Sequence, residues 1–115
     1  MRQIRQLLRE REAIFPRCDG WIICGDLNDT PASPIVAALQ AAGLGYAHAS
    51  DQLARTCNSN SKAKLIDYLF HTSALEATPL GSPRLDDETP LPSDTEPSDH
   101  LAILSRFDWS EINRA

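Results

Sequence analysis

The chain has 115 residues, enough for one domain with a single core, and its hydrophobic fraction of 42% and charged fraction of 23% are ordinary for a globular protein. A formal net charge of −5 means that the Lys and Arg excess of a non-specific nucleic-acid binder is missing, although this does not exclude a nucleic-acid substrate. The apolar runs are too short to cross a bilayer and the N-terminus lacks a signal-peptide core, so we expect a cytoplasmic protein without a membrane partner.

The cysteines give little indication of a metal site. Cys18, Cys24 and Cys57 are odd in number and lack the paired spacing of metal ligands, so reduced thiols are the expected state. A zinc site that combines them with His71 has no CxxC or HxxxH pair to support it.

The first third of the chain predicts a helix followed by a strand. Residues 2–15 have the apolar spacing of an amphipathic helix, which Pro16 ends. The apolar run from Trp21 to Cys24 lies between two glycines and predicts a strand buried on both faces. A polar segment, residues 25–31, follows at the end of this strand, where α/β proteins tend to build their sites.

A second helix has clear start and stop signals. Ser33 is the expected N-cap, Pro34 occupies the first helical position, and Gly43 lies just past the end. The side chains expected to face the core are Ile35, Val36, Leu39 and Ala42.

The second half of the chain predicts two strands separated by a long loop. Lys64 to His71 alternates as a strand, and Asp67 interrupts its apolar character, so this carboxylate should have a partner. The segment from Ala77 to Pro97 is rich in proline and acidic residues and predicts an irregular surface loop. A final strand is expected from Leu101 to Phe107, and a polar tail closes the chain.

Three short polar motifs stand at or within the predicted strands: Gly25-Asp26-Leu27-Asn28, Ile66-Asp67-Tyr68 and Ser98-Asp99-His100. Each one alone has an ordinary structural explanation: a turn, a buried carboxylate paired with a nearby donor, or a surface histidine. Together and in this order they resemble the C-terminal signature of the endonuclease/exonuclease/phosphatase family. The match runs from Gly20 to Trp109, nearly the whole chain.

The resemblance implies a fold and a branch of the family. The fold class is α/β, and residues 1–115 would form the C-terminal half of a four-layer α/β sandwich, in which two packed β-sheets are flanked by helices. The first half of the domain, with its metal-binding glutamate, would be absent. Two details look like the branch of deadenylases and 2′,5′-phosphodiesterases: Thr30-Pro31 after the first motif, and Leu91-Pro92 ahead of Pro97 and the third motif.

The resemblance also implies roles for five residues. His100 would be the general base, or would bind phosphate when protonated, and Asp67 would fix its tautomer. Asp26 would orient or deprotonate the attacking water or assist the leaving group, and Asn28 would hold the phosphate oxygens. Asp99, with Asp26 and Asn28, would bind Mg²⁺ or Mn²⁺.

The first motif could also be the start of a calcium-binding loop. A calcium loop starting at Asp26 fails, because its sixth position is Pro31 where Gly is required and its twelfth is Ala37 where Glu is required. His48 and His71 match no motif of the family, and we expect them at the surface.

The expected function is metal-dependent phosphodiester hydrolysis, weak or absent in this chain alone because the glutamate is missing. The expected partners are a phosphodiester substrate, RNA or a nucleotide among the candidates, and a missing N-terminal half-domain or partner chain. Phosphoinositides, sphingomyelin and abasic DNA are alternative substrates, since family members also cleave them. A different hypothesis is a non-catalytic half-domain that only binds a partner.

Overall fold

The computed structural model describes residues 1–111; the last four residues of the predicted polar tail lie outside the described part. It combines helices with several antiparallel sheets, consistent with the predicted α/β class. The elements in chain order are α1 (Arg2–Ile14), β1 (Ile22–Asp26), α2 (Pro34–Ala41), β2 (Gly45–Tyr46), β3 (Cys57–Ser59), β4 (Lys62–Lys64), β5 (Asp67–His71), β6 (Leu75–Pro79) and β7 (Ser105–Trp109). Within residues 1–111, no helix has the length and apolar character needed to span a membrane.

The central sheet has the order β1-β5-β2, with both outer strands antiparallel to β5. Side chains alternate along β5, so Tyr68 and Phe70 are buried on one face while Asp67, Leu69 and His71 stand half-buried on the other. The prediction that the first strand is buried on both faces is wrong. Strand β1 is mostly exposed, because the buried core cluster lies on the Tyr68 and Phe70 face of this sheet.

The core lies on the Tyr68 and Phe70 face of the sheet. Tyr68 and Phe70 are each 1% exposed and pack with Val36 and Leu39 of α2, which are fully buried. Helix α1 contributes only partly buried side chains to this cluster and has no fully buried residue. The amphipathic helix predicted for residues 2–15 is therefore present, but it covers the core loosely.

Helix α2 begins and ends as the sequence predicts. Ser33 accepts a hydrogen bond from the Val36 N–H at 3.3 Å, which satisfies one of the free amides of the first turn. Gly43, with a φ of 92°, follows the C-cap in the left-handed region that favours glycine. One core residue was predicted wrongly: Ala42 is exposed, because the helix ends at Ala41.

The strand predicted from Lys64 to His71 is interrupted. Lys64 ends β4, which pairs with β3, and β5 begins only at Asp67. The hydroxyl of Thr56, which is fully buried, accepts hydrogen bonds from the N–H groups of Ile66 and Asp67 at 3.1 and 3.3 Å. These bonds replace a strand partner at the break, so a buried threonine positions Asp67.

Replacing Thr56 with valine should destabilise the fold by about 1–3 kcal/mol, because one buried and one partly buried N–H group lose their acceptor while the side-chain volume is kept. Urea unfolding followed by circular dichroism measures this change. The matched control is Thr56→Ser, which keeps the hydroxyl and should cost less. A valine variant as stable as the serine variant would show that the hydroxyl does not hold this segment.

The C-terminal part of the chain differs from its predicted strand boundaries. Residues 77–79 of the predicted loop belong to β6, which pairs with β7 over its full length. The final strand, expected from Leu101 to Phe107, runs instead from Ser105 to Trp109. Residues 101–104 lie outside any strand, because β7 pairs with β6 and its register with that hairpin partner sets its start.

The rest of the predicted loop is irregular, as expected, and is held at two points. The Asn58 side-chain amide donates to the carbonyl oxygens of Asp86 and Thr89, and Asn58 itself is only 6% exposed. Earlier in the loop, Arg84 forms a 2.8 Å ion pair with Asp51. The first contact holds the loop against β3, and the second ties it to the segment before β3.

Candidate active site

Two carboxylates meet at the end of the central sheet. Asp26 and Asp67 are directly opposite each other in the antiparallel pairing of β1 with β5. Residues opposite each other in a sheet project to the same face, and like charges in such a pair destabilise it. This arrangement therefore calls for a positive or hydrogen-bond-donating group between the two side chains.

The imidazole of His100 occupies that position. Its Nδ1 lies 2.7 Å from Asp67 Oδ2, and its Nε2 lies 3.8 Å from Asp26 Oδ2. The contact between Asp67 and His100 joins residues 33 positions apart in the sequence. With the Asp67 carboxylate accepting at Nδ1, the ring is held in the tautomer whose Nε2 has a free lone pair.

The backbone brings His100 to this place by two contacts. His100 forms an isolated antiparallel bridge with Cys57 at the start of β3, and its N–H donates to the Ser98 hydroxyl at 3.0 Å. The Ser98 contact spans two residues, as in the short hydrogen-bonded turns that Ser often makes. The Ser-Asp-His motif thus forms a turn that places His100 beside the start of β3.

The surrounding carboxylates change the proton affinity of His100. The hydrogen bond to Asp67 raises the pKa of the His100 imidazole above its usual value; partial burial opposes this, and the charges of Asp67, Asp26 and Asp99 add to it. The ring is about 30% exposed, so solvent reaches it. His100 therefore titrates at a higher pH than a free histidine and remains accessible to a substrate.

One carboxylate oxygen of Asp26 holds the loop that follows β1. Asp26 Oδ1 accepts the Asn28 N–H at 2.8 Å, while Oδ2 faces His100. Asn28 has a φ of 54°, a left-handed conformation that Asn tolerates better than most residues. The buried Tyr68 hydroxyl donates to the Asp29 carbonyl at 2.7 Å and fixes the loop from the other side. Asn28 is thus connected to the site through its backbone.

The remaining predicted residue, Asp99, also faces the histidine. Its Oδ1 lies 3.8 Å from His100 Nε2, and its side chain is 48% exposed. Ligand atoms of Asp26, Asp67 and His100 lie within 4.8 Å of one another. Carboxylate oxygens are the donors that Mg²⁺ and Mn²⁺ take, so the Asp26 and Asp99 side chains fit such an ion in kind, although no such group within residues 1–111 contains both of them. Among residues 1–111, the groups that could hold a metal contain no glutamate.

An open cleft adjoins Asp99. It has a volume of about 1170 Å³ and lies between the β3-β4 turn and the loop that ends at the third motif. Its polar walls include Asn60, Ser61, Asp87 and Glu88, and no Lys or Arg is among the described residues that line it. The cleft is therefore acidic and unsuited to hold a phosphate by itself.

Sequence reasoning missed several residues that build this site. Thr56 and Cys57 position or contact the motif residues, yet nothing in their local sequence indicates a role at the site. His48 was expected at the surface, but it is 3% exposed, and its Nε2 is buried without a hydrogen-bond partner in the described residues. His71 is half-buried, since its ring packs edge-on against Phe107.

Comparison with known sequences agrees with the geometry. The sequence model of the Endonuclease/Exonuclease/phosphatase family matches residues 1–100, which include all three polar motifs. No curated protein gave a significant match. Members of the matched family are generally metal-dependent hydrolases of phosphodiesters and other phosphate esters. The family match covers most of the chain, and the chain belongs to the endonuclease/exonuclease/phosphatase family.

Proposed function

We propose that the protein is a Mg²⁺-dependent phosphodiesterase of this family, with His100 as the general base. The observation that carries the proposal is the Asp67–His100–Asp26 arrangement, in which one carboxylate holds Nδ1 at 2.7 Å and the other lies 3.8 Å from Nε2. A third carboxylate, Asp99, lies at the same distance from Nε2.

Each residue of the site would have its own chemical role. Asp67 accepts the Nδ1–H of His100, so Nε2 is free to take a proton from water. A water between Nε2 and Asp26 Oδ2, which are 3.8 Å apart, contacts both and is oriented by them. The side-chain amide of Asn28, on the loop beside Asp26, donates to the phosphate oxygens as charge develops. Protonated His100 is in turn stabilised by Asp67.

The ion would be held by Asp99 and Asp26, with Asn28 as a further oxygen ligand. Carboxylate and amide oxygens suit Mg²⁺ or Mn²⁺, and the ion would supply positive charge to the phosphate oxygens. Two or three exposed ligands bind such an ion weakly. We therefore expect the affinity of the chain alone for Mg²⁺ to be low.

We further propose that the three short sheets form the C-terminal half of a four-layer sandwich that an N-terminal segment or a partner chain completes. The radius of gyration is 15.4 Å, against about 13 Å for a compact domain of 115 residues. Ile22, on the same sheet face as Asp26, is 45% exposed, and Trp109 is 49% exposed. Apolar surface of this kind usually marks an interface. The metal-binding glutamate would come from that segment or partner chain.

The substrate that we propose is RNA or a small nucleotide, as in the deadenylase and 2′,5′-phosphodiesterase branch. The acidic cleft beside Asp99 suits an uncharged part of such a substrate, because its amide and hydroxyl groups can hydrogen-bond a base while its carboxylates repel phosphate. The three free cysteines fit a reducing, cytoplasmic location.

The test of the proposed function is hydrolysis of bis(p-nitrophenyl) phosphate with Mg²⁺ or Mn²⁺, by the chain alone and by the chain together with the segment that we propose completes it. We expect weak or no hydrolysis by the chain alone and clear metal-dependent hydrolysis by the completed protein. Hydrolysis that persists in excess EDTA would contradict the role of the metal.

The second candidate is a non-catalytic half-domain that only binds a partner. It is favoured by the exposed apolar side chains and by the lack of a glutamate in the metal-binding groups of residues 1–111. Size-exclusion chromatography and a Mg²⁺ titration followed by NMR separate the two. A stable monomer whose His100 and Asp99 signals do not respond to Mg²⁺ would favour the non-catalytic protein.

A further inference from the structure

A thiol lies directly against the site histidine. Cys57 and His100 form an isolated antiparallel bridge. Two backbone hydrogen bonds flank this pair. The Asn58 N–H donates to the Asp99 carbonyl at 3.1 Å, and the Leu101 N–H donates to the Thr56 carbonyl at 2.7 Å. Cys57 and His100 themselves are therefore not hydrogen-bonded to each other through the backbone. In such a non-hydrogen-bonded pair the two side chains project to the same face and approach most closely. The backbone therefore places the side chains of Cys57 and His100 next to each other on one face.

Asp99 completes a set of three donors. Ligand atoms of Cys57, Asp99 and His100 all lie within 4.8 Å of one another. Asp67 occupies His100 Nδ1 at 2.7 Å, which leaves Nε2 as the nitrogen available to an ion. A carboxylate behind a ligating imidazole is the usual outer partner of a metal-bound histidine. Cys57 is buried, but the exposed parts of Asp99 and His100 give an ion access from solvent.

The donor types select the ion. Thiolate, imidazole and carboxylate are the ligands of Zn²⁺, whereas Mg²⁺ takes oxygen ligands and makes no use of a thiolate. Asp26 Oδ2 also lies 3.8 Å from His100 Nε2, but Asp26 does not belong to this group of three donors. The three donors thus match Zn²⁺ in kind, and a fourth coordination position is left for water.

We propose that Cys57, Asp99 and His100 form a binding site for Zn²⁺ and that bound Zn²⁺ inhibits the enzyme. On binding, the Cys57 thiol releases its proton to solvent and coordinates as the thiolate. The ion occupies the Nε2 lone pair that would otherwise take the proton of the attacking water. The inhibition rests on the proposed function, but the binding site does not.

Co²⁺ is the spectroscopic probe for this site, because a thiolate ligand gives a charge-transfer band in the near ultraviolet. Titrating the folded chain with Co²⁺ should produce this band, and Zn²⁺ should abolish it. Cys57→Ser should lose the band and bind Zn²⁺ at least about tenfold more weakly, the lower end of the loss caused even by outer-shell substitutions. The matched control is Cys18→Ser, which removes an exposed thiol and should keep both band and affinity.

A second variant covers the case in which Cys57→Ser fails to fold. Asp99→Asn changes a half-exposed side chain outside the core and should also weaken Zn²⁺ binding at least about tenfold. A band that survives Cys57→Ser, or Zn²⁺ affinity unchanged in folded Asp99→Asn, would overturn the site.

The inhibition assay is a separate test from the metal-binding titration. In the form of the protein that hydrolyses phosphodiester with Mg²⁺, added Zn²⁺ should inhibit, and Cys57→Ser should need at least about tenfold more Zn²⁺ for the same inhibition. A cobalt–thiolate band without hydrolysis in any form would defeat the proposed function and leave the metal site standing. Hydrolysis without the band would defeat the metal site alone.

Discussion

Replacing His100 with alanine should lower phosphodiester hydrolysis by about 10²–10⁴-fold, because the variant loses the group that would take the proton of the attacking water. The measurement is kcat/KM in the form of the protein that hydrolyses bis(p-nitrophenyl) phosphate. The effect should fall on kcat, since His100 would act on water and would not be needed to bind the substrate.

The matched control is His71→Ala. His71 lies on the same sheet face as Asp67, but its Nδ1 contacts the backbone carbonyl of Thr72 and its ring packs against Phe107. The His71→Ala variant should therefore keep the activity of the unmodified protein. If His100→Ala hydrolyses as fast as His71→Ala, with both variants folded, His100 is not the base.

Asp67→Asn should lower kcat by about 10³–10⁴-fold, although the side chain keeps its size. The amide can donate to Nδ1 and so favours the tautomer that protonates Nε2, which is then unable to accept the proton of water. Asp67 would thus act through His100, as a positioning residue. A variant that changed only the stability, with kcat unaltered, would contradict this role.

The pH dependence separates this role from a purely structural one. Asp67 is the main cause of the raised pKa of His100, so removing its charge should lower that pKa. A general base works in its neutral form, so activity rises as pH rises through its pKa. The acidic limb of the pH–rate profile should therefore move to lower pH in Asp67→Asn. An NMR titration of the His100 ring protons measures the same shift without requiring activity, and an unchanged titration would contradict the proposed coupling.

The local signals in the sequence predicted the elements that depend on neighbouring residues. Ser33, Pro34 and Gly43 delimit α2, because capping and left-handed backbone are decided within a few residues. The alternation of β5 was also predicted, since side chains in a strand alternate by covalent geometry. The family followed from the order of three motifs, which the sequence contains in full.

The strand ends were predicted less well, because distant contacts set them. The break at residues 65–66 depends on the hydroxyl of Thr56, ten residues from Ile66, and the start of β7 depends on its pairing with β6. Periodicity carries no information about such partners. The burial of His48 was missed for the same reason: which side of the sheet is covered is a property of the whole fold.

The sequence by itself determined which side chains could do chemistry here: three aspartates, an asparagine and a histidine, in the order of the family signature. Only the tertiary structure decided that Asp26 and Asp67 are paired across a sheet, that His100 lies between them, and that Cys57 faces the same ring. The physical reason is that these contacts join segments up to 74 residues apart along the chain, from Asp26 to His100, through strand register and backbone hydrogen bonds. Such long-range pairings leave no local pattern in the sequence.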